Sequence, residues 1–463
     1  AGLRLPLAHL EWHAPFLSGG GYSSEALTFV QGLLLLNRTA ADASDAAAAD
    51  DADEGAARWA PLRLRLEQHG DGVSDHFVAG LDPALVDELV PLFPQGRFAS
   101  SSSKGAVVVC HSEPGAWAPA LFKTSACPPR GDYGAPALVI GRTMFETDRV
   151  TAEHVRRCNR MDEVWVPSAF HMRTFAASGV RPDKLRKIVQ AVDTSFYSPH
   201  RDDLEPFRLP FGKRLVRSSS DTKSRSRKRF SFLSVFKWEP RKGWDVLVRA
   251  YLAEFSAADD VALYLLTNKY HVEDAEMQAR LEGVLATVPE PPEGYAALFL
   301  ADTHVPLPRL PALYRAVDAF VLPSRGEGWG RPHVEAMAMG LPVIATNWSG
   351  TTEYLSEAVG YPLRVAELAT VGEGSFFSGH KWASPCSEHL QQLMRHVVHN
   401  PAEAAQKGEA ARALMASTYS LEAVARTVAD ALIDASRAKQ EREASSRTPT
   451  SQSTRRPRDA TEL

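Results

Sequence analysis

The chain has 463 residues, enough for two or three domains at roughly 150 residues each. Hydrophobic residues make up 44% and charged residues 23%, the balance of a globular protein and not of a disordered chain, a collagen or a coiled coil. No run approaches the ~20 apolar residues that cross a bilayer, so no membrane span is expected in these residues. The net charge of −4 is unevenly spread: Asp42–Glu54 carries six acids and no base, whereas Lys213–Arg229 carries eight bases against Asp221 alone. An acidic remainder is a poor general binder of nucleic acid, so an anionic ligand has to be held by a local site.

Four cysteines, Cys110, Cys127, Cys158 and Cys386, show no CxxC or CxxxC spacing. They are expected as buried or free thiols in a reducing compartment, not as a zinc cluster or a disulfide framework. The first residue is Ala1 and not Met, which leaves room for an upstream signal or anchor. Cytoplasm is the default setting, and a Golgi or membrane-associated one follows if an anchor preceded Ala1.

In chain order, Ser18-Gly19-Gly20-Gly21-Tyr22 precedes a helical run over Ser23–Leu36. An acidic, Ala-rich stretch at 40–57 has no apolar face and reads as a solvated insertion. Short β-branched strands are predicted at Ala106–Cys110 and Ala137–Ile140, and another at Glu163–Val166 after a helical Thr151–Arg160. Residues 205–229 form a basic Ser/Arg-rich linker or insertion, with a nuclear-localisation or anionic-surface patch as the other reading. Beyond it, strands at Phe230–Phe236, Val261–Thr267, Ala297–Leu300, Ala319–Leu322 and Pro342–Ala345 alternate with helices. Those helices are expected at Gly243–Phe255, Asp274–Ala286, Leu307–Ala316 and Pro332–Met339. Short apolar strands alternating with helices predict an α/β fold with parallel sheets covered on both faces. The expected division is a Rossmann-like domain at 1–204, the linker, a second such domain at 230–420, a final helix at 421–440 and a disordered tail at 441–463. Ligands of such sheets sit beyond the strand C-termini.

The densest motif lies there. A strand ends at Leu322, and a loop with Gly326, Gly328 and Gly330 follows. Pro332 opens a helix where its missing N–H costs nothing, Gly340 ends it, and Pro342 begins the next strand. The glycines let backbone approach a ligand, and free amides at a helix start favour negative charge. Glu327 in the loop and Glu335 in the helix are eight residues apart and able to share one cleft.

This string resembles the E-x7-E signature EGFGxxxxEAMAxGxPVIA of the retaining GT-B glycosyltransferases of family 4, with Trp329 where the family often has Phe. The resemblance continues through Ser349-Gly350-Thr351-Thr352-Glu353 and spans about Leu5 to Gln440, interrupted by the insertions. It implies two Rossmann-like domains facing a central cleft, with the last helix packing back toward the first domain. It further implies Glu335 on the ribose hydroxyls of a sugar nucleotide and Glu327 beside the donor sugar near the reacting centre. Gly328, Trp329 and Gly330 would line the donor site. Phe236-Lys237 through Lys242-Gly243 looks like the family's G-R-x(4)-K-G segment, which assigns Lys237 and Lys242 to the diphosphate. Phe-Lys replaces Gly-Arg, and Arg241 is a further candidate for the first contact.

In the first half, Gly20 and Gly21 resemble the family's glycine-rich turn facing the diphosphate. His111 resembles its strand-end histidine near the transferred sugar. Glu146 and Asp148 form a polar cluster suited to donor or acceptor contact. Val192-Asp193 matches the family, but Gln190-Ala191 stands where it has Asn-Gly.

The resemblance thus implies transfer of a sugar from a nucleotide-sugar co-substrate to an acceptor of unknown class (glycan, lipid or small molecule), with retention. No resident cofactor and no metal are expected, because lysines and loop amides can meet the leaving charge. No residue stands out as a covalent nucleophile. A catalytically inactive GT-B module binding a nucleotide or a partner, and a GT-B sugar-nucleotide epimerase, are the competing readings.

Overall fold

The computed structural model describes residues 9–47, 62–94, 103, 105–129, 136–216, 229–268, 273–302, 305–373 and 377–447. The strands in chain order are β1 (Leu10–Ala14), β2 (Leu64–Gln68), β3 (Val107–His111), β4 (Leu138–Arg142), β5 (Glu163–Val166), β6 (Leu185–Lys187), β7 (Lys213–Arg214), β8 (Phe230–Lys237), β9 (Val261–Asn268), β10 (Ala297–Asp302), β11 (Ala319–Leu322), β12 (Val343–Thr346), β13 (Tyr361–Leu363), β14 (Val365–Thr370) and β15 (Lys381–Pro385). The helices are α1 (Gly21–Ala47), α2 (Asp75–Ala79), α3 (Pro83–Leu89), α4 (Ala152–Cys158), α5 (Ala169–Ser178), α6 (Trp244–Glu254), α7 (Asp274–Leu285), α8 (Leu310–Arg315), α9 (Arg331–Ala338), α10 (Ser387–His399), α11 (Pro401–Thr418) and α12 (Leu421–Arg447).

Strands β1 to β6 make one parallel sheet in the order β2-β1-β3-β4-β5-β6. A second sheet runs β13-β12-β11-β8-β9-β10-β7, parallel except for the antiparallel edge strand β7. Strands such as Val261–Asn268, buried along seven consecutive residues, are apolar because helices cover both faces. Among the parallel strands of each sheet the order reverses once, between β1 and β3 and between β8 and β11. Such a reversal opens a crevice at the strand C-termini. The glycine turn leaves β1, and the Lys242 and Glu327 loops leave β8 and β11.

Helix α12 crosses back to the first sheet: Val424, Val428, Leu432 and Ala435 join the core built by Trp12, Phe29 and Leu33. Gly32 of α1 is required there, since a Cβ would stand 2.6 Å from the Leu421 carbonyl oxygen. The two chain crossings meet where the Val192 amide donates to the Tyr419 carbonyl at 2.8 Å.

Several expectations need correction. The Ala-rich composition at 40–57 favours helix, and α1 runs on through Ala47; residues 48–57 lie outside the described residues. Within the basic linker, Lys213 and Arg214 pair with β10 as an edge strand, where charged side chains are tolerated; 217–228 lie outside the described residues. Glu441-Arg442-Glu443-Ala444 is helix-forming, and α12 extends seven residues past 440, leaving 448–463 of the expected tail outside the described residues. Cys110 and Cys127 are bonded to each other as a disulfide, and both are fully buried. No spacing rule signals a pair 17 residues apart that strand β3 and its following loop bring together. The bond removes the ground for expecting a reducing compartment. Cys158 and Cys386 are free and buried. Among the described residues no helix is long and apolar enough to cross a membrane.

Denatured without reductant, the protein should show two reactive thiols, Cys158 and Cys386, and reduction should cost about 3 kcal/mol of stability for a loop of this length. Thiol titration and paired melts check this. Four reactive thiols would show that the pair is not joined.

Candidate functional site

The second sheet builds the charged centre. After β8 a tight turn at Pro240–Lys242 leads into α6, and the Trp238 and Trp244 rings stack behind it with centroids 4.1 Å apart. Gly243 has φ +66°, and a Cβ there would lie 2.0 Å from the Pro323 carbonyl oxygen, so this turn presses directly on the loop leaving β11. That approach brings Lys242 to Glu327. The ammonium Nζ donates to both carboxylate oxygens, at 2.7 and 2.9 Å. Arg241 Nη1 donates to Glu327 Oε2 at 3.3 Å and to the Gly326 carbonyl at 2.7 Å, and Ser324 Oγ donates to Oε1 at 2.6 Å. The Glu327 amide in turn donates to Ser349 Oγ at 2.8 Å. Burial would push the Glu327 carboxyl up, but Lys242 and Arg241 outweigh it and hold it at about 2. Glu327 is therefore an anion at any physiological pH.

Gly330, at φ +99°, turns the chain into α9; a Cβ would meet His333 Nδ1 at 2.6 Å. Glu335, in the second turn of that helix, is buried and faces the same cleft. Its Oε2 accepts from Tyr314 at 3.0 Å, and Arg331 Nε lies 3.8 Å from Oε1. Burial raises the Glu335 carboxyl, with Arg331 and the phenols opposing. The two glutamates thus share a cleft with their carboxyls shifted in opposite directions.

The first domain closes the other side. Gly20 and Gly21 line the cleft where α1 begins, and nothing stands within 4 Å of where a Gly21 Cβ would be. Gly326 and Gly328 carry the second domain against the first: a Cβ on either would lie 2.0 Å from the Glu146 carbonyl or 2.5 Å from Met144 Sδ. The Glu146 carboxyl stands 4.0 Å from Arg241 and is raised by burial and by Glu327, against the pull of Arg241. The cleft has a volume of about 570 Å³, within the range of small-molecule sites.

Lys237, Lys242, Arg241, Glu146, Glu327, Glu335, Gly20, Gly21, Gly328, Trp329 and Gly330 all line this cleft. The Trp329 ring itself packs on Tyr354 and Tyr419, at 5.1 and 5.6 Å. Two expected residues are placed elsewhere. His111 is fully buried in the first domain and does not line the cleft. Trp12 Nε1 donates to its Nδ1 at 3.1 Å, so Nε2 carries the proton and donates to Glu25 at 3.0 Å. Glu25 is in turn held by Arg142, at 2.8 Å from Nε. This closed network leaves His111 no nitrogen for substrate. Asp148 is bound to Arg149 and to the Lys381 amide, at 2.7 Å, and ties the first domain to the β14–β15 hairpin.

Sequence reasoning missed the wall formed by Leu266, Thr267 and Asn268 at the end of β9 with Val305 and Leu310. The change from an apolar strand to Thr-Asn was its only signal. It also missed Tyr22, Gln190 and Phe377, which line the cleft from other elements. Among the described residues no group of three or more His, Cys, Asp or Glu side chains is arranged to hold a metal ion. The arrangement offers an apolar slot, a carboxylate suited to a diol, and three cations facing a glycine turn.

Removing one partner of a buried ion pair costs about 3 kcal/mol, whereas removing both costs less. Lys242→Ala should therefore destabilise the protein by about that amount at pH 7, and adding Glu327→Gln should recover at least about 1 kcal/mol. The contribution is complete above the ordinary carboxylate value of 4.5 and is lost as pH falls toward about 2. Denaturant unfolding of the four proteins measures the coupling, and additive losses would show that the pair is not coupled.

With this geometry in hand, residues 227–369 match the family described as glycosyl transferases group 1. The chain is 26% identical over 227 residues to a D-inositol 3-phosphate glycosyltransferase of Thermomonospora curvata, covering 48% of this chain and 46% of that one. It is 24% identical over 227 residues to a GDP-mannose-dependent alpha-(1-6)-phosphatidylinositol monomannoside mannosyltransferase of Mycolicibacterium smegmatis, covering 46% and 51%. The chain spans about half the length of these curated relatives. Among solved structures, Anabaena Alr3699/HepE in complex with UDP and glucose superposes with a TM-score of 0.57 at 13% identity, over 92% of this chain and 99% of that one. A glycosyltransferase from Rickettsia africae ESF-5 gives 0.54 at 14%, over 92% and 98%. The likeness establishes the architecture: two Rossmann-like domains with parallel sheets facing a central cleft, the GT-B fold.

Proposed function

We propose that the protein is a glycosyltransferase that moves a sugar from a nucleoside-diphosphate sugar to an acceptor hydroxyl, without a metal and with retention of anomeric configuration. The observation that carries this reading is the convergence of Lys242, Arg241, Glu327 and Glu335 at one crevice, opposite the Gly20–Gly21 turn. The GDP-mannose-dependent relative and the UDP-bound neighbour support the donor class.

In this reading the base enters the slot of Leu266, Val305 and Leu310, and Glu335 accepts from the ribose hydroxyls. The diphosphate lies between the Gly20–Gly21 turn and the cations Lys237, Lys242 and Arg241. The bond from the anomeric carbon to the phosphate oxygen breaks, and negative charge grows on the diphosphate where those cations and amides already stand. The acceptor oxygen bonds the same face of that carbon, and its proton passes to the departing phosphate oxygen. Glu327, anionic and fixed, orients the sugar and favours the positive charge that develops on the ring. Leaving charge met by side-chain cations needs no divalent ion.

A donor-hydrolysis screen across nucleotide sugars identifies the substrate, and variants then separate the two glutamates. Glu335→Gln should raise the donor KM by about 10-fold or more with kcat little changed, since a charge-assisted contact is lost in ground and transition states alike. Glu327→Gln should lower kcat by about 10²–10³ with nucleotide affinity nearly kept. The reverse pattern would overturn the assignment. Saturating chelator should leave the rate unchanged; loss that added Mg²⁺ restores would remove the metal-free reading.

A further inference from the structure

Glu335 poses a physical problem that the proposed reaction does not solve. Burial alone drives a carboxyl toward its neutral form. A protonated carboxyl keeps fewer acceptor sites for the two hydroxyls of a cis-diol. Two phenols stand behind it. Tyr314, on α8, donates to Oε2 at 3.0 Å, and Tyr197, in the connection between the domains, is buried beside Tyr314 and acts on the same carboxylate. Both phenols are buried, with ring centroids 6.1 Å apart. The other oxygen, Oε1, lies on the side of Arg331. The groups facing this carboxylate are thus Arg331 from its own helix, Tyr314 from α8 and Tyr197 from the connection, with Asp193 acting on Tyr197.

The connection is tied to the same helix. Arg412 Nη1 donates to the Tyr197 carbonyl at 3.3 Å and to the Ala338 carbonyl at 2.5 Å. The Tyr197 amide donates to the Asp193 carbonyl at 2.9 Å. Tyr197 is therefore fixed relative to α9, which carries Glu335. A hydrogen bond to the charged form of an acid favours that form, so Tyr314 works directly against the burial, with Tyr197 packed beside it.

We propose that Tyr314, backed by Tyr197, is a positioning residue that keeps Glu335 a carboxylate and holds Oε2, leaving Oε1 to the ribose hydroxyls of the donor. The proposal rests on the reading of Glu335 as the ribose acceptor. It explains why phenols, and not phenyl rings, fill this part of the core.

The test is calorimetric binding of uridine diphosphate and guanosine diphosphate to Tyr314→Phe, Tyr197→Phe and the double variant. Affinities are taken as ratios to wild type at each pH from about 5.5 to 8.5, so that titration of the ligand itself cancels. Tyr314→Phe should bind more weakly, with the ratio widening as pH falls, because the acid limb moves up by about one pH unit when its hydrogen bond is lost, and Tyr197→Phe should move it in the same direction by less. In a Glu335→Gln background the same changes should add no pH dependence. A ratio flat in pH, whatever its size, overturns the proposal while Glu335→Gln still weakens binding. Wild-type affinity in Glu335→Gln, or no binding of either nucleotide to the wild type, overturns the underlying reading of the site instead.

Discussion

A carboxylate buried among protein atoms is stable only if cations and donors surround it, and Glu327 meets that condition with donors from two segments while a third fixes its backbone. Lys242 and Arg241 come from the turn after β8, Ser324 from its own loop, and Ser349, which takes the Glu327 amide, from beyond β12. Because uncompensated burial of one charge costs several kcal/mol, these segments are held in a single mutual arrangement. The positive φ at Gly243 and the close backbone approach to Pro323 follow from the same requirement. The charged centre thus anchors the switch point of the second sheet.

The same centre governs how the domains meet. Loop glycines at 326 and 328 let backbone touch backbone and Met144 across the cleft, which places Glu146 beside Arg241. Further ties lie away from the chemistry. The Glu353 carboxylate accepts from the Ala169 amide at 2.8 Å, Thr147 and His380 share a hydrogen bond of 2.8 Å, and α12 is built into the first-domain core. A cleft held by contacts on several sides keeps the glycine turn and the cations at a defined separation, which a diphosphate bridging them requires.

The second domain was legible because its signals are local. Strand, glycine loop, Pro-opened helix and glycine stop all fall between Leu322 and Thr346, and each residue there acts on neighbours within a turn or two. His111 shows where such reading stops. A strand-end histidine looks the same whether it faces a cleft or a core, and here the decision was made by Trp12 and Glu25, at sequence separations of 99 and 86. The Cys110–Cys127 bond, the displacement of Asp148 onto β15 and the phenols behind Glu335 are likewise products of tertiary contact. The Ala-rich stretch lacked a signal of another kind. Lack of an apolar face argued for a solvated insertion and gave no secondary structure, and helix propensity continued α1 into it through Ala47.

The central claim is that one crevice, centred on the Glu327–Lys242–Arg241 cluster, receives the nucleotide. A crystal structure of the protein with a bound nucleoside diphosphate tests it most directly. The account predicts ribose hydroxyls on Glu335, the base against Leu266 and Leu310, and diphosphate oxygens within hydrogen-bond distance of Lys242 or Arg241 and of the Gly20–Gly21 turn. A nucleotide seated elsewhere, or a diphosphate out of reach of those cations, would contradict it.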